Sequence, residues 1–129
     1  MKISPYTAIW GKRDPIRKDI LCFTEKDGGK FVTPCMNAKQ FKVLSHLYVD
    51  ADVSIWMDGY VKPKVPVETL AAMLGDADMV VFRHPHGLGS LEHAVKIKKV
   101  RPHQVENIDE QIKEYLARGL PPDDPVLWG

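Results

Sequence analysis

The segment that most restricts how this chain folds is residues 54–60, which read SIWMDGY. Its apolar first half predicts a strand buried on both faces, as in a parallel sheet, and the strand ends on Asp58 and Gly59. In parallel α/β proteins, ligands bind just beyond the carboxyl ends of the strands. A carboxylate there, beside a residue without a side chain, suits a divalent metal that holds a diphosphate. Asp-Gly is also a favoured turn pair, so a simple tight turn is an equal alternative on these residues alone.

Composition narrows the classes of protein that fit. The 129 residues, 44% of them hydrophobic, are enough for one domain with a core, so we expect a single domain over residues 1–129. The net charge of +1 does not favour nucleic acid as a partner. No apolar run reaches the length of a membrane span, and the first residues do not resemble a signal peptide. Cys22 and Cys35, without a Cys-x-x-Cys pair, fit a reduced, cytoplasmic setting.

Alternating strand and helix patterns predict an α/β fold, with a Rossmann-like, mostly parallel sheet flanked by helices. Apolar β-rich runs indicate the strands, and apolar residues at helical spacing indicate the helices. Asn37 and Ser90 are expected to cap helices, and Pro66 to begin one. The predicted strands cover residues 6–10, 20–24, 53–58 and 77–82, and the predicted helices cover residues 37–47, 66–75, 90–100 and 103–118.

Polar residues follow three of the predicted strands. Residues 11–14 follow the first strand, Asp58 and Gly59 follow the third, and His84 and His86 follow the fourth. If the strands are parallel, these three loops meet at one edge of the sheet. Cations there would bind phosphate, while a carboxylate and imidazoles are common metal ligands. The sequence therefore predicts a phosphate and metal site at this edge.

Five blocks of residues, in order along nearly the whole chain, form a more specific pattern than any of them alone. They are residues 6–14 (YTAIWGKRD), 22–25 (CFTE), 37–59 (with NAKQFKVLSH and SIWMDG), 84–92 (His-Pro, then Glu92) and 111–121. With them the chain resembles a small GT-A-type glycosyltransferase. The resemblance is to the plant mucilage-related glycosyltransferase-like family and its bacterial and phage relatives. It implies a minimal GT-A-like nucleotide-sugar-binding fold.

The resemblance also implies an activity, a metal-dependent hexosyltransferase with a UDP-hexose as donor, Mn²⁺ or Mg²⁺ as the cation and an unidentified acceptor. The Asp-x-Asp motif of the family falls on Asp58-Gly59-Tyr60. Asp58 supplies the first carboxylate of that motif, and Tyr60 replaces the second. His84 is expected to complete the coordination of the metal.

The resemblance places the donor against residues from three parts of the chain. Three of these residues have an ordinary alternative: Trp10 as a core residue, Lys42 as a solvated helix lysine, and Arg13 as the ion-pair partner of Asp14. The donor-binding residues that it implies are Thr7, Ala8, Trp10, Arg13, Lys42, Asp58 and Gly59.

Glu92 is the candidate catalytic base. An inverting transferase needs a carboxylate that takes the proton from the acceptor hydroxyl, and Glu92 matches the position of such a base in the family. It also lies in the first turn of a predicted helix, where a carboxylate stabilises the helix dipole without any catalytic role.

Two other functions stay open on the sequence. One is a metal hydrolase built on Asp58, His84, His86 and His93. The other is a non-catalytic nucleotide-binding module. The apolar residues 126–128 are a candidate contact surface for a homodimer.

Overall fold

The structure is a computed structural model and describes residues 1–83, 89–121 and 127–128. The chain divides into two compact units, Met1–Asp78 and Met79–Gly129. The first unit holds a parallel sheet with helices, and the second holds two longer helices and a short strand pair. That both units form one domain over residues 1–129 stays a prediction.

The first unit is an α/β fold with a parallel sheet in the order β2-β1-β3. Tyr6 of the central strand pairs with Leu21 on one side and with Trp56 on the other. The predicted parallel sheet flanked by helices is therefore confirmed. The elements of this unit are β1 (Ile3–Ala8), β2 (Leu21–Phe23), a 3-10 turn (Glu25–Asp27), α1 (Pro34–Val43), α2 (Ser45–Tyr48), β3 (Val53–Trp56) and α3 (Val67–Ala72).

The start of α1 differs from the prediction. Thr33 caps the helix, because its hydroxyl accepts a hydrogen bond from the Met36 amide at 3.4 Å. Asn37 lies inside the helix and is buried. Its side-chain amide both donates to the carbonyl and accepts from the amide of Phe31, each at 2.9 Å. The prediction that Asn37 caps the helix is therefore wrong: it holds the preceding loop against α1 instead.

An aromatic cluster forms the core between α1 and the sheet. Phe41 of α1 is 1% exposed and stacks on Phe23 of β2 at 4.4 Å between ring centroids, with Tyr48 at 4.5 Å. The hydroxyl of Tyr6 lies 3.3 Å from the carbonyl oxygens of both Phe41 and Lys42. Burial raises the pKa of the Tyr6 phenol, which favours the protonated form that donates these hydrogen bonds. These contacts fix α1 over β1.

A buried arginine connects the loop after β1 to the segment after β3. Arg17 is only 8% exposed, and its Nη1 donates to the carbonyl of Val61 at 2.5 Å. Its Nε and Nη2 donate to the carboxylate of Asp19. The hydrogen bond from Arg17 lowers the pKa of Asp19 to about 2. The charge of Arg17 is thus compensated, as a buried charge requires.

The segment at the boundary between the two units differs from the prediction. Residues 77–82 were predicted as a fourth strand, but only Phe82–Arg83 forms β4. The Ala77 amide donates to the carbonyl of Leu74 at 3.0 Å, which continues the turn after α3, and Met79 is 75% exposed. β4 pairs antiparallel with β5 (Leu127–Trp128), outside the parallel sheet. An apolar run forms a strand only where a partner strand accepts and donates its backbone hydrogen bonds. Local sequence does not specify that partner.

Two helices make up most of the second unit. They are α4 (Ser90–Val100) and α5 (Val105–Ala117), joined by a 3-10 turn at Pro102–Gln104. Lys98 and Asp109 form a 2.6 Å ion pair between them. The cap of α4 is Gly89, with no side-chain cap bond, so the predicted Ser90 cap is wrong. In the described part of the chain, no helix has the length and apolar character needed to cross a membrane.

Replacing Phe41 with alanine tests the aromatic core. We expect Phe41→Ala to lower the free energy of unfolding by about 3–5 kcal/mol, because it removes a buried ring and leaves a cavity. Urea denaturation followed by circular dichroism measures the change. Val43→Ala on the same helix is the control, since Val43 is 73% exposed and should change stability by less than about 0.5 kcal/mol. Equal effects of the two substitutions would contradict this account of the core.

The Arg17–Asp19 pair predicts a sensitivity to acid. The pKa of Asp19 is lowered in the folded state, so its stabilisation is present above about pH 4 and is lost as the pH falls towards 2. We expect Asp19→Asn to flatten the fall of the urea midpoint between pH 5 and pH 2, and Asp76→Asn, at an exposed position, to leave it as in the wild type. An unchanged slope in Asp19→Asn would contradict the prediction.

Candidate functional site

The candidate site lies at the carboxyl ends of β1 and β3. The two strands are parallel neighbours, and the Met57 amide extends their ladder by donating to the Tyr6 carbonyl at 3.0 Å. The chain leaves β1 towards β2 on one side, while β3 lies on the other side. Such a point of reversed strand order is where open α/β sheets bind ligands.

Asp58 stands at this edge, two residues beyond β3. It is half-buried, and its Oδ1 accepts a hydrogen bond from Nε1 of Trp56 at 3.0 Å. Its backbone carbonyl accepts from the Val61 amide at 2.8 Å, which closes a tight turn. The two interpretations of Asp58-Gly59 are therefore compatible: the residues form a turn, and the turn presents a carboxylate at the edge of the sheet.

Asp14 brings a second carboxylate to the same edge. A Cβ atom placed on Gly59 would lie 3.2 Å from Oδ2 and 3.3 Å from Cβ of Asp14, and 3.4 Å from Cδ1 of Ile9. Contacts this short are tighter than nine in ten real Cβ contacts, so a side chain at this position would require the neighbouring loop to move by a few tenths of an ångström. The absence of a side chain at Gly59 therefore lets the loop after β1 approach the loop after β3, as predicted for these two loops.

Lys42 lies over the same edge from α1. Its Nζ is 5.4 Å from the centroid of the Trp56 ring, a distance typical of a cation–π contact. Trp56 thus contacts a cation with its ring and a carboxylate with its N–H. Lys42 and Asp58 both contact Trp56 at this edge, and the binding roles of Lys42, Asp58 and Gly59 stay predictions.

The predicted residues at the end of β1 are placed differently from one another. Thr7 and Ala8 are buried, and the hydroxyl of Thr7 has no hydrogen-bond partner within the described structure. The half-buried ring of Trp10 stacks on Phe41 at 5.3 Å, which fits a core role and leaves part of the indole accessible. Arg13 is exposed, and no ion pair joins it to Asp14 in the described residues.

The remaining predicted residues belong to the second unit. Glu92 is exposed in the first turn of α4, as predicted. His84 and His86 lie outside the described residues. Within residues 1–83, 89–121 and 127–128, no group of three or more His, Cys, Asp or Glu side chains is placed to hold a metal ion. The metal role of His84 stays a prediction.

Two residues that shape this edge were not among the predicted site residues. Trp56 belongs to an apolar run, yet residues two apart along a strand share a face, and that spacing could have linked it to Asp58. Nothing in the sequence around Arg17 indicates that this arginine is buried. Its carbonyl partner belongs to Val61, 44 positions away, and an arginine in a loop is ordinarily exposed.

Comparison with known proteins supplies the family. Over residues 27–125 the chain matches the family described as TOD1/MUCI70, glycosyltransferase-like domain. No curated protein and no solved structure matches the chain. The matched range covers most of the chain and includes Lys42, Asp58, Gly59 and Glu92, whereas β1 and β2 precede it. The chain therefore belongs to the TOD1/MUCI70 family of mucilage-related, glycosyltransferase-like proteins.

Proposed function

We propose that this protein is a metal-dependent hexosyltransferase that uses a nucleotide sugar, with a UDP-hexose as the donor. The observation that carries the proposal is the position of Asp58. It lies where the carboxylate motif of the resembled transferases falls, and at the edge where α/β sheets bind ligands. Membership of a glycosyltransferase-like family supports the reaction class.

The side chains at this edge have the chemistry that a hard divalent cation prefers. Asp58 and Asp14, which flank Gly59, offer carboxylate oxygens from two loops, and Mn²⁺ and Mg²⁺ prefer oxygen ligands. We assign the metal to Asp58, with Asp14 as a neighbour, and His84, which lies outside the described residues, stays the predicted further ligand. When bound, the cation would stabilise the negative charge of the leaving diphosphate.

The end of β1 would hold the base and ribose of the donor. Ala8, 8% exposed, would bind through its backbone groups, whereas Thr7 is fully buried and would support the wall of the site from beneath. Trp10 offers the accessible part of its indole as a wall for the base. Arg13 and Lys42 carry positive charges that would attract the phosphates.

Glu92 is the proposed base for an inverting transfer. The acceptor oxygen would attack the anomeric carbon, and the bond from that carbon to the diphosphate oxygen would break. The proton of the acceptor hydroxyl would pass to the Glu92 carboxylate. The exposed position of Glu92 in the first turn of α4 leaves this carboxylate accessible to an acceptor.

A non-catalytic nucleotide-binding module is the second candidate. It is favoured by Tyr60, which occupies the position of the second carboxylate of the family motif and is 77% exposed. This candidate predicts that UDP binds but that no sugar is transferred. Titration with UDP and assays of UDP release from UDP-sugars separate this candidate from the transferase.

The donor site is tested by calorimetric titration of UDP with and without Mn²⁺. We expect the wild type to bind UDP more tightly with Mn²⁺ and Asp58→Asn to lose this dependence, because the amide removes the ligand charge. Asp50→Asn is the control. Asp50 precedes the same strand at its opposite end and pairs with Lys2 on the surface. A wild type that binds no UDP under either condition would overturn the proposal.

The role of Glu92 is tested by UDP release from UDP-glucose and UDP-galactose. We expect Glu92→Gln to slow release by about 10²–10⁴-fold and to leave UDP affinity unchanged, because only the proton acceptor is lost. Glu106→Gln is the matched control, because Glu106 also lies in the first turn of a helix, α5. This variant should release UDP at the wild-type rate. Equal rates in Glu92→Gln and wild type would exclude this base. UDP binding without release by the wild type would favour the second candidate.

A further inference from the structure

Trp56 joins the two charged residues of the candidate site. Its Nε1 donates to Oδ1 of Asp58 at 3.0 Å. Its ring lies under the ammonium group of Lys42, at 5.4 Å, and edge to face with Tyr6, also at 5.4 Å between centroids. The indole is therefore contacted both by the helix and by the neighbouring strand.

An indole fixed in this way restricts the orientation of the carboxylate that it contacts. The indole nitrogen is a donor only, and a hydrogen bond to an ionised acceptor is stronger than one between neutral groups. With one lone pair of Oδ1 occupied by the Trp56 N–H, Oδ2 of Asp58 is the oxygen that keeps both lone pairs for a ligand. Groups that orient metal ligands in this way commonly contribute a factor of about 10–100 to metal affinity.

We propose that Trp56 is a positioning residue of the donor site, which orients Asp58 so that its Oδ2 binds a divalent cation. The inference rests on the proposed function, because it assumes that Asp58 is a metal ligand. It adds that the contribution of Trp56 to metal affinity comes from its indole N–H rather than from the bulk of its ring.

The substitution Trp56→Phe separates these two contributions. Phenylalanine keeps an aromatic ring against Tyr6 and Lys42 but has no N–H. We expect the Mn²⁺ dissociation constant to rise by about 10–100-fold, with a thermal unfolding midpoint close to that of the wild type. Mn²⁺ binding is measured by electron paramagnetic resonance, with and without UDP.

Tyr48→Phe is the matched control. It also removes one polar atom from an aromatic ring of the same unit, a hydroxyl bonded to Gln40 and with no described bond to Asp58. Its Mn²⁺ affinity should equal that of the wild type. A loss of affinity as large as in Trp56→Phe would show a general effect of packing and would overturn the proposal.

A spectroscopic readout requires no substitution of Trp56. In ¹H–¹⁵N spectra, the indole signal of Trp56 should shift with Mg²⁺ and broaden with Mn²⁺, because its nitrogen lies 3.0 Å from the ligand carboxylate. Asp58→Asn should abolish both responses. If the indole signal does not respond while the wild type binds Mn²⁺, the proposal is wrong.

The possible results separate this proposal from the donor proposal. Equal Mn²⁺ affinity in Trp56→Phe and wild type overturns the role of Trp56 and leaves the UDP site intact. Mn²⁺ binding that requires Trp56 and Asp58, in a protein that does not bind UDP, supports the positioning role and overturns the donor. A wild type that binds no Mn²⁺, with or without UDP, overturns both.

Discussion

The packing of α1 against the parallel sheet is the contact on which the first unit depends. Phe41 stacks on Phe23 of β2, and Tyr6 of the central strand reaches the backbone carbonyl of Phe41 with its hydroxyl. Aromatic rings bury a large area and also prefer defined relative orientations, so this layer sets the angle as well as the stability of the contact. It also sets the place of Lys42, the next residue of the helix, over Trp56.

The polar groups at the edge are held by neighbours that play no part in ligand chemistry themselves. Trp56 holds the Asp58 carboxylate, and Arg17 holds the carbonyl of Val61, where the turn after β3 ends. Gly59 leaves room for the approach of the other loop. Charged groups fixed in advance lose less freedom when a ligand binds, which is the usual advantage of a supported site.

The accuracy of the sequence predictions followed how local the determining contacts are. The strand before Asp58 was predicted from its continuous apolar pattern, but burial on both faces was wrong: β3 is at the edge of the described sheet and is half-buried. The helix around Phe41 was predicted in part, because the predicted helix over residues 37–47 divides into α1, which ends at Val43, and α2. The predicted cap at Asn37 was wrong because a side chain that suits a cap also suits a bond to a neighbouring loop, here at Phe31. The strand predicted over residues 77–82 was wrong because strand formation depends on a distant partner.

The sequence by itself determined the parallel α/β character of the first unit and the carboxylate at the end of β3, because burial patterns and strand ends are local properties. Only the tertiary structure decided that Trp56 bonds to Asp58, that Asp14 lies against Gly59, and that Arg17 is buried. The last two contacts join loops that are far apart along the chain. They form only when the pairing of β1 with β3 brings both loops to one edge, and local sequence does not encode which strands are neighbours or in which register they pair.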